Sequence, residues 1–296
     1  MSESSESSSP LLEEGQYTGK VYWLNLPTEY ELHLQNLRED LEDRSFQKDI
    51  SEQYGESNII IPDVFKENGR LVKNTSISDV SIVNTESDSD IIVGEIVTDT
   101  IGSIRYRDNE ILILDTKEAK FLIFEYEGYS YLANLAKREV AEGIITILRA
   151  GYDELGSTIN PTRIGPEEID EVRKSLDAKV MDTNFTDYPQ DEINSIQIRG
   201  YGVEEDEEFK RQKRKGKIET HMFQTDTISP DDFKTIEISG DGLVRIYSKS
   251  NISTYLRLLT KHVLPHIHRD SELSPSVEVY EELSSFEDNP IYVKSG

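Results

Sequence analysis

Cysteine is absent from the 296 residues. That excludes disulfides, thiolate nucleophiles and cysteine-based zinc or iron–sulfur sites. No apolar run approaches the roughly 20 residues that a membrane helix needs. The opening stretch, MSESSESSSPLLEEG, has neither a basic region nor an apolar region of a secretory signal. The expectation is a soluble, cytoplasmic protein without a membrane partner. The chain has no G-x-x-x-x-G-K-[ST] loop, no G-x-G-x-x-G after a strand, no G-x-S-x-G elbow and no H-E-x-x-H. Five histidines leave few nucleophile–base combinations. No cofactor is expected.

Apolar residues are also scarce, at 35 % against 30 % charged. They fall in periodic clusters, which disordered chains lack, so a core is expected. Acid is what the chain has in excess. There are 58 acidic and 32 basic side chains, a net charge of −26. Three readings fit: adaptation to high salt, acidic tails on an ordinary domain, or an acidic face that mimics nucleic acid. The acid is spread along most of the chain, which favours salt adaptation. Lysine is not depleted relative to arginine, which counts against it. A general grip on DNA or RNA is disfavoured, since phosphates would be repelled.

The most legible stretch is Lys234–Ile267. Thr235–Ser239 and Leu243–Ser248 read as strands around the tight turn Gly240-Asp241-Gly242. Asn251 or Ser250 then caps a helix carrying Tyr255, Leu256, Leu259 and Val263 at helical spacing. Phe121–Leu148 has the same order: strand, Glu127-Gly128 turn, strand, and a helix over 134–148. The fold expected is therefore α+β. Two antiparallel-sheet modules, 17–150 and 151–270, each pack against helices as ββα units, between a disordered tail 1–16 and an acidic, flexible tail 271–296.

Elsewhere Lys20–Leu26 reads as a strand. A helix follows Thr28 with Leu34, Leu37 and Leu41 on one face, and continues through the polar stretch toward Gly55. Ile59–Ile61 is a short strand. Residues 67–90 read as irregular, with an edge strand at Val80–Val83. Residues 91–133 read as a meander of five short strands, broken at Asp99–Gly102, Asp108-Asn109, Thr116–Ala119 and Glu127-Gly128. Gly151–Asn160 reads as a linker. Pro166-Glu167-Glu168 starts a helix lined by Ile169, Val172 and Leu176. Lys179–Phe185, Ser195–Arg199 and Ile218–Gln224 read as strands.

Four constellations could carry chemistry. His262, His266 and His268, with Asp270 beyond, have the residue types of a divalent-metal site, although Pro265 interrupts the helix and a plain helix end is the favoured reading. Lys210, Arg211, Lys213, Arg214, Lys215 and Lys217 form a basic run that could meet a nucleic acid or an acidic partner. The acids at Glu204–Glu208 more often neutralise such a run on a solvated helix. Asp115-Thr116-Lys117 ends an apolar strand and resembles the metal-dependent PD-(D/E)xK nucleases in that tripeptide. The resemblance implies an upstream acid on a paired strand, for which Asp99 and Asp108 are the candidates. Val21–Leu26 resembles the first ribonucleoprotein motif of RNA-recognition domains, which implies a second aromatic strand that this chain does not show.

The functions that remain are an interaction or regulatory module of a salt-adapted cytoplasm, a nucleic-acid-binding protein using 210–217, and a metal-dependent hydrolase or nuclease. Scarcity of catalytic chemistry favours the first, with a protein partner.

Overall fold

The computed structural model describes residues 15–25, 34–42, 44–54, 59–85, 89–135, 145, 158–188, 194–228, 232–267 and 292–293. In chain order the strands begin with β1 (Gly15–Asn25), β2 (Ser45–Asp49), β3 (Ile59–Ile60), β4 (Lys66–Glu67) and β5 (Arg70–Asn84). Next come β6 (Asp90–Tyr106), β7 (Asn109–Tyr126), β8 (Tyr129–Leu135), β9 (Thr158–Pro161), β10 (Lys179–Thr186) and β11 (Ser195–Arg199). The last are β12 (Lys217–Thr225), β13 (Lys234–Ser239), β14 (Leu243–Ser250) and β15 (Tyr292–Val293). The helices are α1 (Leu34–Leu41), α2 (Pro166–Ser175), α3 (Glu207–Lys213) and α4 (Ile252–Leu258).

All described strands join one sheet network, in the order β11-β10-β12-β13-β14-β1-β8-β7-β6-β5-β2-β15. β3, β4 and β9 attach beside this path, to β7, β5 and β1. Every pairing is antiparallel except β3 on β7.

β1 is the seam. Along one edge it pairs first with β14 and then with β9; along the other it pairs with β8. Its side chains alternate between two cores, as a pleated strand requires. Tyr17 and Val21 enter one, Tyr22 and Leu24 the other. The first core joins Ile91, Val93, Leu122 and Phe124 from the first half of the chain to Ile236, Val244 and Tyr255 from the second. The second lies on the opposite face, with Leu37 and Leu41 of α1 against Ile77, Ile92, Ile96 and Phe121. A third, smaller cluster is built on Ile50, Leu71 and Leu112.

The expectation of two sheet modules, each packed on its own helices, is therefore overturned. Each half does contain a hairpin of the expected kind. However, the first strand of the chain bridges the two, and one core runs under both. The fold is a single large antiparallel sheet with helices added to its faces.

Several local expectations were met. Gly240-Asp241-Gly242 turns β13 into β14, with Gly242 at φ 83°. The Asn251 side chain caps α4 by accepting from the Thr254 amide at 2.8 Å. Pro166 opens α2, and Ile169, Val172 and Leu176 are buried. Others were not. Residues 45–49 form β2 rather than helix, because Phe46 buries and the strand pairs with β5. The stretch expected to be irregular is β5, fifteen residues long. It lies between β2 and β6 only over Val72–Ser76; Val80–Val83 has β6 alone beside it among the described residues and is at an edge, as expected. The turns expected at Asp99–Gly102 and Thr116–Ala119 are strand, and they pair with each other's strands in unbroken register. The linker expected over 151–160 ends in β9. Of the helix expected over 134–148, Asn134 and Leu135 lie in β8, and Ile145 is helical and buried. The remainder falls outside the described residues. So does most of both tails, although Gly15 and Gln16 begin β1, and Tyr292 and Val293 pair with β2. Among the described residues no helix is long and apolar enough to cross a membrane.

Gly94 on β6 sits opposite Phe121 on β7, and the Phe121 ring lies over it. A Cβ at Gly94 would overlap that ring, which is fully buried and has no exit. Gly94→Ala should cost about 2 kcal/mol through overpacking, read as a lower urea midpoint.

Candidate functional site

β6 and β7 form a long hairpin whose outer part leaves the body of the sheet as an arm. Their pairing is continuous from Ile92–Ile123 to Tyr106–Asn109. β5 accompanies β6 only as far as the pair Thr75–Thr98, where the two buried hydroxyls hydrogen-bond at 2.7 Å. The next residue, Asp99, ends the ladder. Its carboxylate accepts from the Asn74 amide at 2.9 Å and from the Thr116 hydroxyl at 3.2 Å, taking the place of a backbone acceptor.

Beyond Asp99 the arm is asymmetric. β3 pairs alongside β7 at Glu110 and Ile111 and covers that end of the edge, while Leu112–Ala119 has no strand beside it among the described residues. The outer edge of β6, Thr100–Tyr106, has no strand beside it among the described residues. The two faces differ as well. Ile101, Leu112 and Leu114 pack against the small third core. The opposite face carries Gly102, Ile104 and Tyr106 with Ile111 and Ile113 across from them. Ile104 is 55 % exposed and Tyr106 57 %. Arg107, at φ 57° in the tip, places its guanidinium 5.3 Å from the Tyr106 ring centre. Thr100–Arg107 reads TIGSIRYR, with two arginines and no acid in a chain of net charge −26.

Sheet proteins commonly protect such an edge with lysine, proline, a bulge or a covering loop. This edge has an unbroken register, no proline and no lysine. It is the feature of the described surface best built to receive something.

The sequence candidates lie elsewhere. Lys210 donates to the Glu205 carbonyl at 2.7 Å, and Arg211 pairs with Glu208 at 2.6 Å. Lys213 pairs with Asp170 at 3.1 Å and Lys217 with Asp187 at 2.5 Å. Arg214 and Lys215 form no ion pair among the described residues. The basic run is thus largely neutralised around α3, which the Asp206 side chain caps.

His262 and His266 follow α4 in a π-helical turn (Leu259–Val263) and a 3-10 turn (Leu264–His266). Their rings reach α2. Nδ1 of His262 is 3.2 Å from Ser175 Oγ, and Nδ1 of His266 is 3.5 Å from Glu171. His268 and Asp270 lie outside the described residues. Among the described residues no three His, Asp or Glu side chains gather as a metal site would require.

Asp115 and Lys117 lie in the middle of β7, paired with each other and exposed. Asp99 is opposite Thr116 and so faces the other side of the hairpin from Asp115. Asp108 is at the tip. Tyr22 and Leu24 of β1 are buried, and Trp23 stands against Tyr129 and Tyr131.

One cleft, of about 370 Å³, lies between α2 and the start of β12, lined by Pro166, Asp170, Lys174, Lys213 and Ile218 among others. Its polar groups are engaged with one another. Asp170 accepts from Arg173, Lys174 and Lys213 at 2.9–3.1 Å. Burial alone would raise its carboxyl pKa; those three cations outweigh it and hold the group well below the usual range. Behind it His221 is fully buried between Phe209 and Phe223. Its Nδ1 meets the Thr183 hydroxyl at 2.8 Å, and Nε2 has no partner. Burial pushes its pKa down to about 3.

No protein-family model matches the chain, and no curated protein matches it in sequence.

The arm was missed in the sequence because its polar middle imitates two turns. Asp99–Gly102 and Thr116–Ala119 are rich in turn-prone or charged residues. The signal that could have found it is the spacing of Asp99 and Thr116, which stand at equal distances from the tip at Arg107-Asp108 and pair with each other.

Proposed function

We propose that the protein is a non-enzymatic interaction module of a salt-adapted cytoplasm, and that it takes a partner's extended segment as an added strand on β6. The observation that carries this is the unprotected edge Thr100–Tyr106 beside the exposed side chains of Ile104 and Tyr106. Strand addition supplies backbone hydrogen bonds for affinity, while side chains on the exposed face choose the partner.

The test is a peptide-display selection against purified protein in molar KCl. The wild type should enrich extended peptides. Ser103→Pro, which removes an amide from the middle of the edge, should lose them. Peptides that enrich equally on both proteins, or on neither, would overturn the reading.

Salt adaptation has its own measurement. Dense carboxylates repel one another until salt screens them. Melting temperature should rise by on the order of 10 °C between low and molar KCl. A flat curve removes that part.

A further inference from the structure

We propose that the strand received by the β6 edge is the same edge of a second copy of this chain, paired about a two-fold axis at Ser103. The inference rests on the strand-addition reading above and names its partner.

The backbone phase comes first. The loop at the tip is two residues, Arg107 and Asp108, so Tyr106 and Asn109 form a hydrogen-bonded pair. In an antiparallel ladder such pairs alternate. Ile104, Gly102 and Thr100 therefore direct their amide groups toward β7. Ile101, Ser103 and Arg105 direct theirs outward, along the edge that β5 has left. The outward groups form a set of three residues centred on Ser103.

Two antiparallel copies with Ser103 opposite Ser103 satisfy that whole set. Ile101 of each copy then lies opposite Arg105 of the other, and every outward N–H meets an outward C=O. A centre one residue toward the tip would set Ile101 opposite Arg107, inside the turn. A centre one residue the other way would set Arg105 opposite Asp99, beside Asn74 of β5. Ser103 is the centre that leaves no outward group behind.

The side chains agree with the same register. Gly102 falls opposite Ile104, and Thr100 falls opposite Tyr106, a pairing of aromatic and β-branched residues that sheets favour. Asp99 falls opposite Arg107 at both ends, so the two ends of the contact carry complementary charge. The exposed apolar faces of the two arms, each with Ile104 and Tyr106, become one continuous surface.

Charge selects this place for self-contact. Two molecules of net charge −26 repel each other over most of their surfaces. TIGSIRYR contains no acid and two arginines, so the penalty is least there, and salt reduces what remains.

The experiment uses the purified full chain in molar KCl. Sedimentation equilibrium should show a concentration-dependent dimer that strengthens with KCl. Ser103→Pro should be monomeric. Because a proline can disturb the arm itself, a charge exchange provides the second arm of the test. Compared at about 0.15 M KCl, where exposed charges are less screened, Arg107→Asp alone and Asp99→Arg alone should each weaken self-association by about tenfold, since like charges then face at both ends. Mixing the two variants should restore dimers. The aspartate introduced at position 107 of one variant then meets the arginine introduced at position 99 of the other. At the opposite end the native Asp99 of the first variant meets the native Arg107 of the second.

A monomeric wild type, a dimer indifferent to Ser103→Pro, or a charge exchange that fails to restore association would overturn the proposal. A monomer that still enriches peptides at the edge overturns self-pairing and leaves strand addition standing. A monomer that enriches none overturns both.

Discussion

Tyr255→Ala should destabilise the protein by about 4 kcal/mol and melt both halves of the chain in one transition. Tyr255 is fully buried where α4 crosses the seam. Its hydroxyl donates within reach of the Gly19 carbonyl on β1 (3.3 Å) and the Val244 carbonyl on β14 (3.2 Å). Its ring stands 6.2 Å from that of Tyr17. Truncation leaves a large cavity between strands that do not neighbour each other in sequence, and removes the hydroxyl proton shared by the Gly19 and Val244 carbonyls. The measurement is denaturant unfolding followed by a probe in each half: Trp23 fluorescence for the seam, and hydrogen exchange of β10–β12 and of β5–β7 for the two sides. Coincident loss is expected. If β5–β7 keep wild-type protection while β10–β14 exchange freely, the halves fold independently and the shared core does not hold them together.

Acidification should destabilise the protein through His221, by about 3 kcal/mol at pH 4 relative to pH 7. The sign follows from the direction of its shift. In the unfolded chain the imidazole takes a proton below its ordinary value of 6.5; in the folded protein it does so only near 3. Between these values the unfolded state binds the proton and the folded state does not. Stability is therefore full above about pH 6.5 and falls steadily toward pH 3. Burial is the cause: a charged imidazolium would lose its water with no group at Nε2 to take up the added proton's hydrogen bond. His221→Leu should flatten this part of the profile while keeping the volume filled. An unchanged slope between pH 6.5 and about 4 in that variant would show that the sensitivity resides elsewhere. Asp170 acts in the same direction further down. Its folded pKa is depressed, so the stability it contributes is present above the ordinary carboxylate range and is lost only as pH falls through its lowered value.

How much of this is legible in the sequence depends on whether the signal is local. Asn251, Pro166 and the Gly240-Asp241-Gly242 turn each act within a few residues, and each stands where expected. The buried faces of α1 and α2 are legible for the same reason. β2 and β5 are not. Their sequences are polar, and they are strands because neighbours hold them: β5 lies between β2 and β6, and β2 is paired with β5 and β15. The seam is the least visible feature. Nothing in Lys20–Leu26 says that its companions are β8 beside one edge and β14 beside the other. The candidate site shares this property. The edge of β6 is open because β5 departs at Asp99, an event that involves Asn74, and no pattern within Thr100–Tyr106 announces it.

The position of β1 also sets a timetable. Gly19 and Tyr255 are 236 positions apart, so β1 meets this partner helix only after all the strands between them have been made. Contacts that span so much of a chain form slowly, since a long loop must close before they reward it. Until β14 emerges from the ribosome, β1 has β8 on one side, while on the other β9 covers only Tyr22–Asn25 and the Gly15–Lys20 edge stays open. The newborn chain thus carries two unguarded edges in succession: that of β1, which the rest of the chain later covers, and that of β6, which stays exposed in the finished fold. In a crowded cell, high net negative charge separates the growing chains during that interval, so the same acidity that burdens the folded protein protects it while it is being made.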